Sequence, residues 1–263
     1  RLLVCTHAHS DHYGQAATIV DASGCELWMH PNHEHMIRSA SDPEEALRRR
    51  LEVARQSGVP EAPLERFAAQ RAGMSTGIAR LILPDRDLVP GVEIETDLGT
   101  WTVHETPGHA PSHVCLFQRE RRLLVSGDHL LGRVSIYYDF GYTPDPAGEF
   151  LSSLGVVEEL GARLCLPGHG RTFTDVQAHI EANRSLVTER IAKVIEVVAT
   201  RGPITVFDAV PLVYGEPITP LNANWRLSET LSYLTHLHVL GQVERIPGEM
   251  GAPGGPERWA AQA

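Results

Sequence analysis

The chain has 263 residues, 42% of them apolar, which suits one large domain or a core domain with a small appendage and is too rich for a disordered chain. Acidic side chains outnumber basic ones 33 to 23, a formal net charge of −10, which argues against a broad binder of phosphate backbones. No apolar run is long enough for a membrane span and no secretory leader precedes the first strand-like run, so a cytoplasmic protein is expected, cut upstream to judge by the missing start Met. The four cysteines, Cys5, Cys25, Cys115 and Cys165, lack metal-ligand spacing, and three sit in apolar runs. They read as small buried residues of a reducing compartment.

In chain order, residues 1–6 (RLLVCT) read as a buried strand, 13–22 as a helix stopped by Gly24, and 25–30 (CELWMH) as a strand ended by Pro31. Residues 32–80 read as a helical insertion. Asp42-Pro43-Glu44-Glu45 supplies a cap, a first-turn proline and a capping-box glutamate, and a second helix is expected over 62–72. Such an insertion suits a lid, a dimer surface or plain packing, and packing is the simplest reading. From 81 to 126 strands are expected at LILP, VEIET, TWTVHET, HVCLF and RRLLVS. A helix over 149–161, a strand at 162–167 and a long helix over 176–200 follow. A last helix over 226–240 leads into QVERI, and the tail 247–263 is expected to be loose. The alternation suits an α/β layered architecture.

The chemistry is concentrated in four segments. His7-Ala8-His9-Ser10-Asp11-His12 follows the first apolar run. An extended backbone sends His7 and His9 to one side, while Asp11 and His12 fall in the turn. His109, Asp128 and His169 each follow an apolar strand and a glycine-containing turn, in TWTVHETPGH, RRLLVSGDH and ARLCLPGHG. Carboxyl ends of buried strands are where open α/β folds place their sites. Five histidines and two aspartates suit zinc, and also iron or manganese. Seven ligands exceed one tetrahedral ion and suit two divalent ions sharing a bridging carboxylate.

These motifs, His-x-His-x-Asp-His, Pro-Gly-His, Gly-Asp-His and Gly-His-Gly, occur in the order of the metallo-β-lactamase superfamily, and the resemblance covers about residues 1–175. It implies an αββα sandwich catalytic domain over 1–175 and a small winged-helix-like module over 176–246. It implies His7, His9 and His109 at the first metal, Asp11, His12 and His169 at the second, and Asp128 bridging both. A bridging hydroxide is the implied nucleophile, with Asp11 orienting it and accepting its proton. Asp128 resembles the glyoxalase II, lactonase and nuclease branches rather than true β-lactamases, and Asp11 differs from the glutamate of the flavodiiron branch. Members of the family carry several strands before the first histidine motif, whereas this chain begins at that motif, so half of one sheet is expected to be absent. The C-terminal module shows no clear basic set for gripping glutathione.

His113 and His129 share loops with ligands and suit either supporting or structural roles. Tyr137, Tyr138, Phe140 and Tyr142 suit core packing, or the lining of an acyl pocket. His30, His33 and His35 read as surface residues, and His236 and His238 as packing or exposed. The leading expectation is a dinuclear metal-dependent hydrolase of a small thioester or lactone, with a small-molecule acyl substrate and no membrane partner. A phosphodiesterase or endoribonuclease is the alternative that acidic charge disfavours. A non-catalytic binding protein is the third reading, and a homodimer stays open.

Overall fold

The computed structural model describes residues 1–248 and 255–262. Strands β1 (Leu2–Cys5) and β2 (Glu26–Met29) pair in parallel, and the two-residue β3 (Arg86–Asp87) adds to β2, also in parallel. Strand alternation sorts their side chains. Leu3, Cys5, Leu27 and Met29 face a cluster with Tyr13 of α1 (Ser10–Tyr13), Ala16 and Val20 of α2 (Ala16–Ser23) and Met36 of α3 (Glu34–Ser41). Leu2, Val4 and Trp28 turn the other way, onto Trp101, Val103, Val114, Leu116, Val125 and Leu166. Complete burial of a side chain such as Leu27 or Met29 contributes about 1.5–3 kcal/mol.

The opposing sheet runs β4 (Glu93–Thr96), β5 (Gly99–Glu105), β6 (Val114–Gln118), β7 (Leu123–Gly127) and β8 (Leu164–Pro167), in that spatial order. Its pairs are antiparallel except β7 with β8. Helices α4 (Pro43–Gln56) and α5 (Glu61–Arg71) follow α3, and α6 (Pro146–Leu160) makes the parallel crossover from β7 to β8. Asp145 caps α6 by accepting from the Gly148 amide, and Phe150, Leu154 and Val157 form its buried face.

The chain divides into two compact units, Arg1–Ser41 with Ser75–Ser185, and Asp42–Met74 with Leu186–Ala263. This differs from the expected boundary at 175. The long helix α7 (Val176–Arg201) is continuous through that position, and α4 and α5 belong to the second unit. The local reason is backbone pairing: the Phe207 amide donates to Ser57 O and the Glu257 amide to Gln56 O. The second unit also holds α8 (Val206–Tyr214), α9 (Ala223–Val239) and an antiparallel pair, β9 (Val243–Ile246) with β10 (Arg258–Ala261). Buried Glu229 is matched there by Arg190, Arg226 and the Tyr233 hydroxyl.

Four local expectations need correction. The helix expected over 13–22 is two helices, the first beginning inside the histidine motif. LILP is not a strand: Tyr13 Oη donates to Ile82 O at 2.6 Å and accepts from Ile82 N at 2.8 Å, so a hydroxyl satisfies the backbone that a ladder would have used. The tail is not loose at 258–261, because Trp259 is buried and its backbone pairs with Ile204 in both directions. Residues 249–254 and 263 of that expected tail lie outside the described residues. Finally, His30, His33 and His35 are buried rather than on the surface. Among the described residues no helix is long and apolar enough to cross a membrane.

Candidate metal centre

All seven residues singled out in the sequence come together, in two groups whose donor atoms lie within 4.8 Å of one another: His7, His9 and His109, and Asp11, His12, Asp128 and His169. The first four come from the end of β1. Thr6 O accepts from the Val114 amide, and the Ala8 amide donates to Ser112 Oγ, so the motif is tied to the β6 side as it leaves the strand. His9 then starts α1, its carbonyl accepting from the amides of His12 and Tyr13. That single helical turn is what brings Asp11 and His12 to a second point.

His109 follows β5 across a Pro-Gly turn. Gly108 sits at φ +119°, and a Cβ there would lie 2.6 Å from the Phe150 backbone nitrogen, so glycine is required both by conformation and by space. His109 Nδ1 donates to Tyr137 O at 3.1 Å, which leaves Nε2 facing His9 Nδ1 at 3.0 Å. Burial pulls the His109 pKa down to about 4, helped by neighbouring His9. Burial and the surrounding imidazoles of His113, His109, His9 and His12 hold His7 well below the ordinary histidine value. Both imidazoles are therefore neutral at physiological pH, the state in which a ring nitrogen can bind a metal.

Asp128 sits between the two groups. Its Oδ1 is 3.3 Å from His12 Nε2, and its Oδ2 is 3.6 Å from His109 Nε2 and 3.5 Å from His169 Nε2. Burial would raise its pKa, but His12, His109 and His169 outweigh that and keep it low. The Asp128 amide donates to His113 Nε2 at 3.0 Å, and His113 Nδ1 donates to Thr106 Oγ1 at 2.8 Å. His113 is thus a neutral, buried support for the Asp128 backbone, driven below its usual pKa mainly by burial. His129 packs against Phe150, ring centroids 4.8 Å apart, with its pKa pushed down to about 3 mainly by burial.

His169 follows β8 across Gly168. A Cβ at Gly168 would stand 2.3 Å from Asp128 Oδ1 and 2.8 Å from His12 Cε1, inside the space the ligands enclose. His169 Nε2 lies 3.3 Å from His12 Nε2 and 3.0 Å from Asp11 Oδ2. Asp11 and His169 are the open side of the centre, with side chains 56% and 53% exposed.

The donor set fits divalent metals. His7 Nε2 and Asp128 Oδ1 are buried without hydrogen-bond partners, a costly state unless something else satisfies them. Nitrogens bound tetrahedrally at about 2.0–2.1 Å from one zinc lie roughly 3.3 Å apart. The His9–His109 and His12–His169 separations are already near that value.

One carboxylate near the centre is absent from the sequence reading. Asp139 Oδ2 lies 3.0 Å from His9 Nε2 and 3.3 Å from His35 Nε2. The signal was a single acidic residue inside the apolar run Ile136-Tyr137-Tyr138-Asp139-Phe140. Of the expected aromatic lining, Tyr138 is core, packed on Phe150, while the Tyr137 ring stands 6.1 Å from His9 and 5.8 Å from His109. His238 Nδ1 donates to Val243 O, a local structural bond. All four cysteines are free and buried.

A sequence model of the metallo-beta-lactamase superfamily matches residues 1–169, the stretch that holds all seven residues. The chain belongs to that superfamily. Within it, the chain is 28% identical to an atrochrysone carboxyl ACP thioesterase of Aspergillus chevalieri over 187 residues, 67% of this chain and 57% of that protein. It is 31% identical over 156 residues to a Bacillus subtilis (strain 168) protein named "Probable metallo-hydrolase YqjP", 56% of this chain and 46% of that one. The chain therefore spans about half the length of these curated relatives. Among solved structures it matches a beta-lactamase domain protein from Burkholderia ambifaria with a TM-score of 0.83 and 25% identity, over 99% of this chain and 75% of the other. A metallo-beta-lactamase family protein from Thermus thermophilus matches with a TM-score of 0.79 and 25% identity, over 99% of this chain and 79% of the other.

Proposed function

We propose that this protein is a dinuclear metal-dependent hydrolase of a small acyl substrate, a thioester or a lactone. The observation that carries the reading is the position of Asp128, whose two carboxylate oxygens face ring nitrogens of both ligand groups. His7, His9 and His109 would hold one ion, and Asp11, His12 and His169 the other, with Asp128 shared. Two such ions, zinc being the best match to an imidazole-rich donor set, would polarise a carbonyl and lower the pKa of a water to about 7.

The chain's own groups supply the rest. Buried His7, His109 and Asp128 close one side to bulk water, and the exposed pair Asp11 and His169 leaves the other side open to an acyl group. Asp11, whose Oδ2 lies 3.0 Å from His169 Nε2 at that mouth, would accept the proton lost by an attacking water. Tyr137, beside His9 and His109, offers an aromatic wall to an acyl chain. A relative named as an acyl-carrier thioesterase supports thioesters as the first class to test. No separate serine or cysteine nucleophile is invoked, and burial pushes the Cys115 thiol up to about 12, out of reach of that role.

The test is a metal analysis paired with a substrate panel. Purified protein is expected to carry two divalent ions per chain, removable by chelator, and to hydrolyse acyl thioesters or lactones in proportion to ion content. Cleavage of single-stranded RNA with no acyl turnover would overturn the substrate class, and binding of fewer than two ions would overturn the dinuclear reading.

A further inference from the structure

His9 is held differently from the other ligands. Its Nδ1 faces His109 Nε2 at 3.0 Å, toward the centre, and its Nε2 faces Asp139 Oδ2 at 3.0 Å, away from it. The same oxygen of Asp139 lies 3.3 Å from His35 Nε2, and His35 Nδ1 in turn donates to Asn32 O at 2.9 Å. A chain of contacts therefore runs from the start of α3 through His35 and Asp139 to His9. Asp139 also grips the neighbouring ligand through its backbone, since its amide donates to His109 O at 3.1 Å while Tyr137 O accepts from His109 Nδ1. Residues 137–139 thus clasp two of the three histidines of one group.

The carboxylate is nearly enclosed, 14% exposed, and His9 and His35 together hold its pKa far below the usual carboxylate range although burial works to raise it. A buried charge is retained at such cost only when well matched. Here it fixes the ring plane of His9 and presents a hydrogen-bond acceptor to Nε2, so that the Nδ1 lone pair points into the centre. Carboxylates placed behind metal-binding histidines act in this manner and strengthen the ligand.

We propose that Asp139 is a positioning residue for His9, that His35 acts only through Asp139, and that the pair sets the affinity of the His7–His9–His109 ion selectively. The proposal rests on the two-metal reading above. The test is zinc affinity at each of the two positions, measured by chelator competition on the whole chain, for wild type, Asp139→Ala, His35→Ala and the double variant. Asp139→Ala is expected to weaken one ion by about 10–100-fold and leave the other within about twofold. His35→Ala is expected to weaken the same ion by less, and to add nothing once Asp139 is alanine, a non-additivity that independent structural damage would not give. Asp139→Asn, which keeps the volume and an acceptor oxygen, should weaken the same ion less than alanine does, and it carries the test if the alanine variant does not fold. Unchanged affinities, equal loss of both ions, or additive effects in the double variant would overturn the proposal while leaving the two-metal reading intact. Fewer than two ions in the wild type would overturn both.

Discussion

The two ligand groups of the centre differ in how they are supported. In the group of His7, His9 and His109, each histidine has its outward nitrogen engaged, by Thr6, Asp139 and the Tyr137 carbonyl respectively. In the other group, His169 and Asp11 are more than half exposed and face each other. One half is embedded in the fold's packing and its loops, while in the other Asp11 and His169 reach solvent and His12 and Asp128 stay at 14% and 9% exposure. Under the proposed function, the contrast would assign ion retention and substrate access to different halves of one centre, with Asp128 as the shared member.

The sharpest way to break that contrast is to remove the shared member. Asp128→Ala is expected to lower kcat/KM by about 10³-fold or more, about 4 kcal/mol of lost transition-state stabilisation, with both ions weakened. Turnover equal to wild type would contradict a shared carboxylate. Next comes Gly168→Ala, whose added methyl enters the space between Asp128 and His12. Circular dichroism should stay native while the ion of the exposed group is lost, and an unaffected metal content would show that the space is not needed for an ion. Smaller still is the kinetic difference between the halves. Chelator should withdraw the ions in two phases, the faster from the exposed group, and His169→Ala should eliminate that phase alone. A single phase would mean that the halves are equally accessible.

The smallest effect, taken per residue, concerns the buried thiols of β1, β6 and β8. Burial raises Cys5 and Cys165 to about 11 and Cys115 to about 12, against 9.0 for a free thiol. Well below pH 9 both folded and unfolded chains keep these protons. Above it the unfolded chain releases them first, so it binds fewer protons and the folded state loses stability as pH rises. About 1 kcal/mol for each thiol should be lost by about pH 10, seen as a fall in the urea midpoint between about pH 8 and pH 10. A midpoint constant over that range would contradict the buried thiols.

The seven candidate ligands of both halves were legible in the sequence, and the difference lies in their supports. Asp11, His12, Asp128 and His169 stand in short motifs, the last two with glycines beside them, and every one arrives where the motif order implies. One support of the embedded half was not legible, because it is a long-range partner with no motif of its own: Asp139 meets His9 across 130 positions. Local pattern failed elsewhere for the same reason. LILP has strand composition, but the hydroxyl of Tyr13, 69 positions away, took the place of a ladder. The assignment of α4 and α5 to the second unit depends on backbone bonds to Phe207 and Glu257, which no periodicity within 42–74 encodes. Strands β5 to β8 and the long α7, by contrast, carry strong periodic or apolar signals and fall close to their expected positions.

The Gly168 amide donates to Gly127 O at 2.7 Å, so the parallel pairing of β7 and β8, after a register shift between Val125 and Gly127, continues to the residues that precede Asp128 and His169. The gap between those two ligands is then governed by the spacing of neighbouring strands, about 4.8 Å, a length that hardly varies from one sheet to another. Such a centre is calibrated by a ruler that side-chain replacement leaves unmarked. A change in the part of the crossover outside residues 137–139, which hold His9 and His109, would leave that spacing in place as long as the register of the two strands is kept.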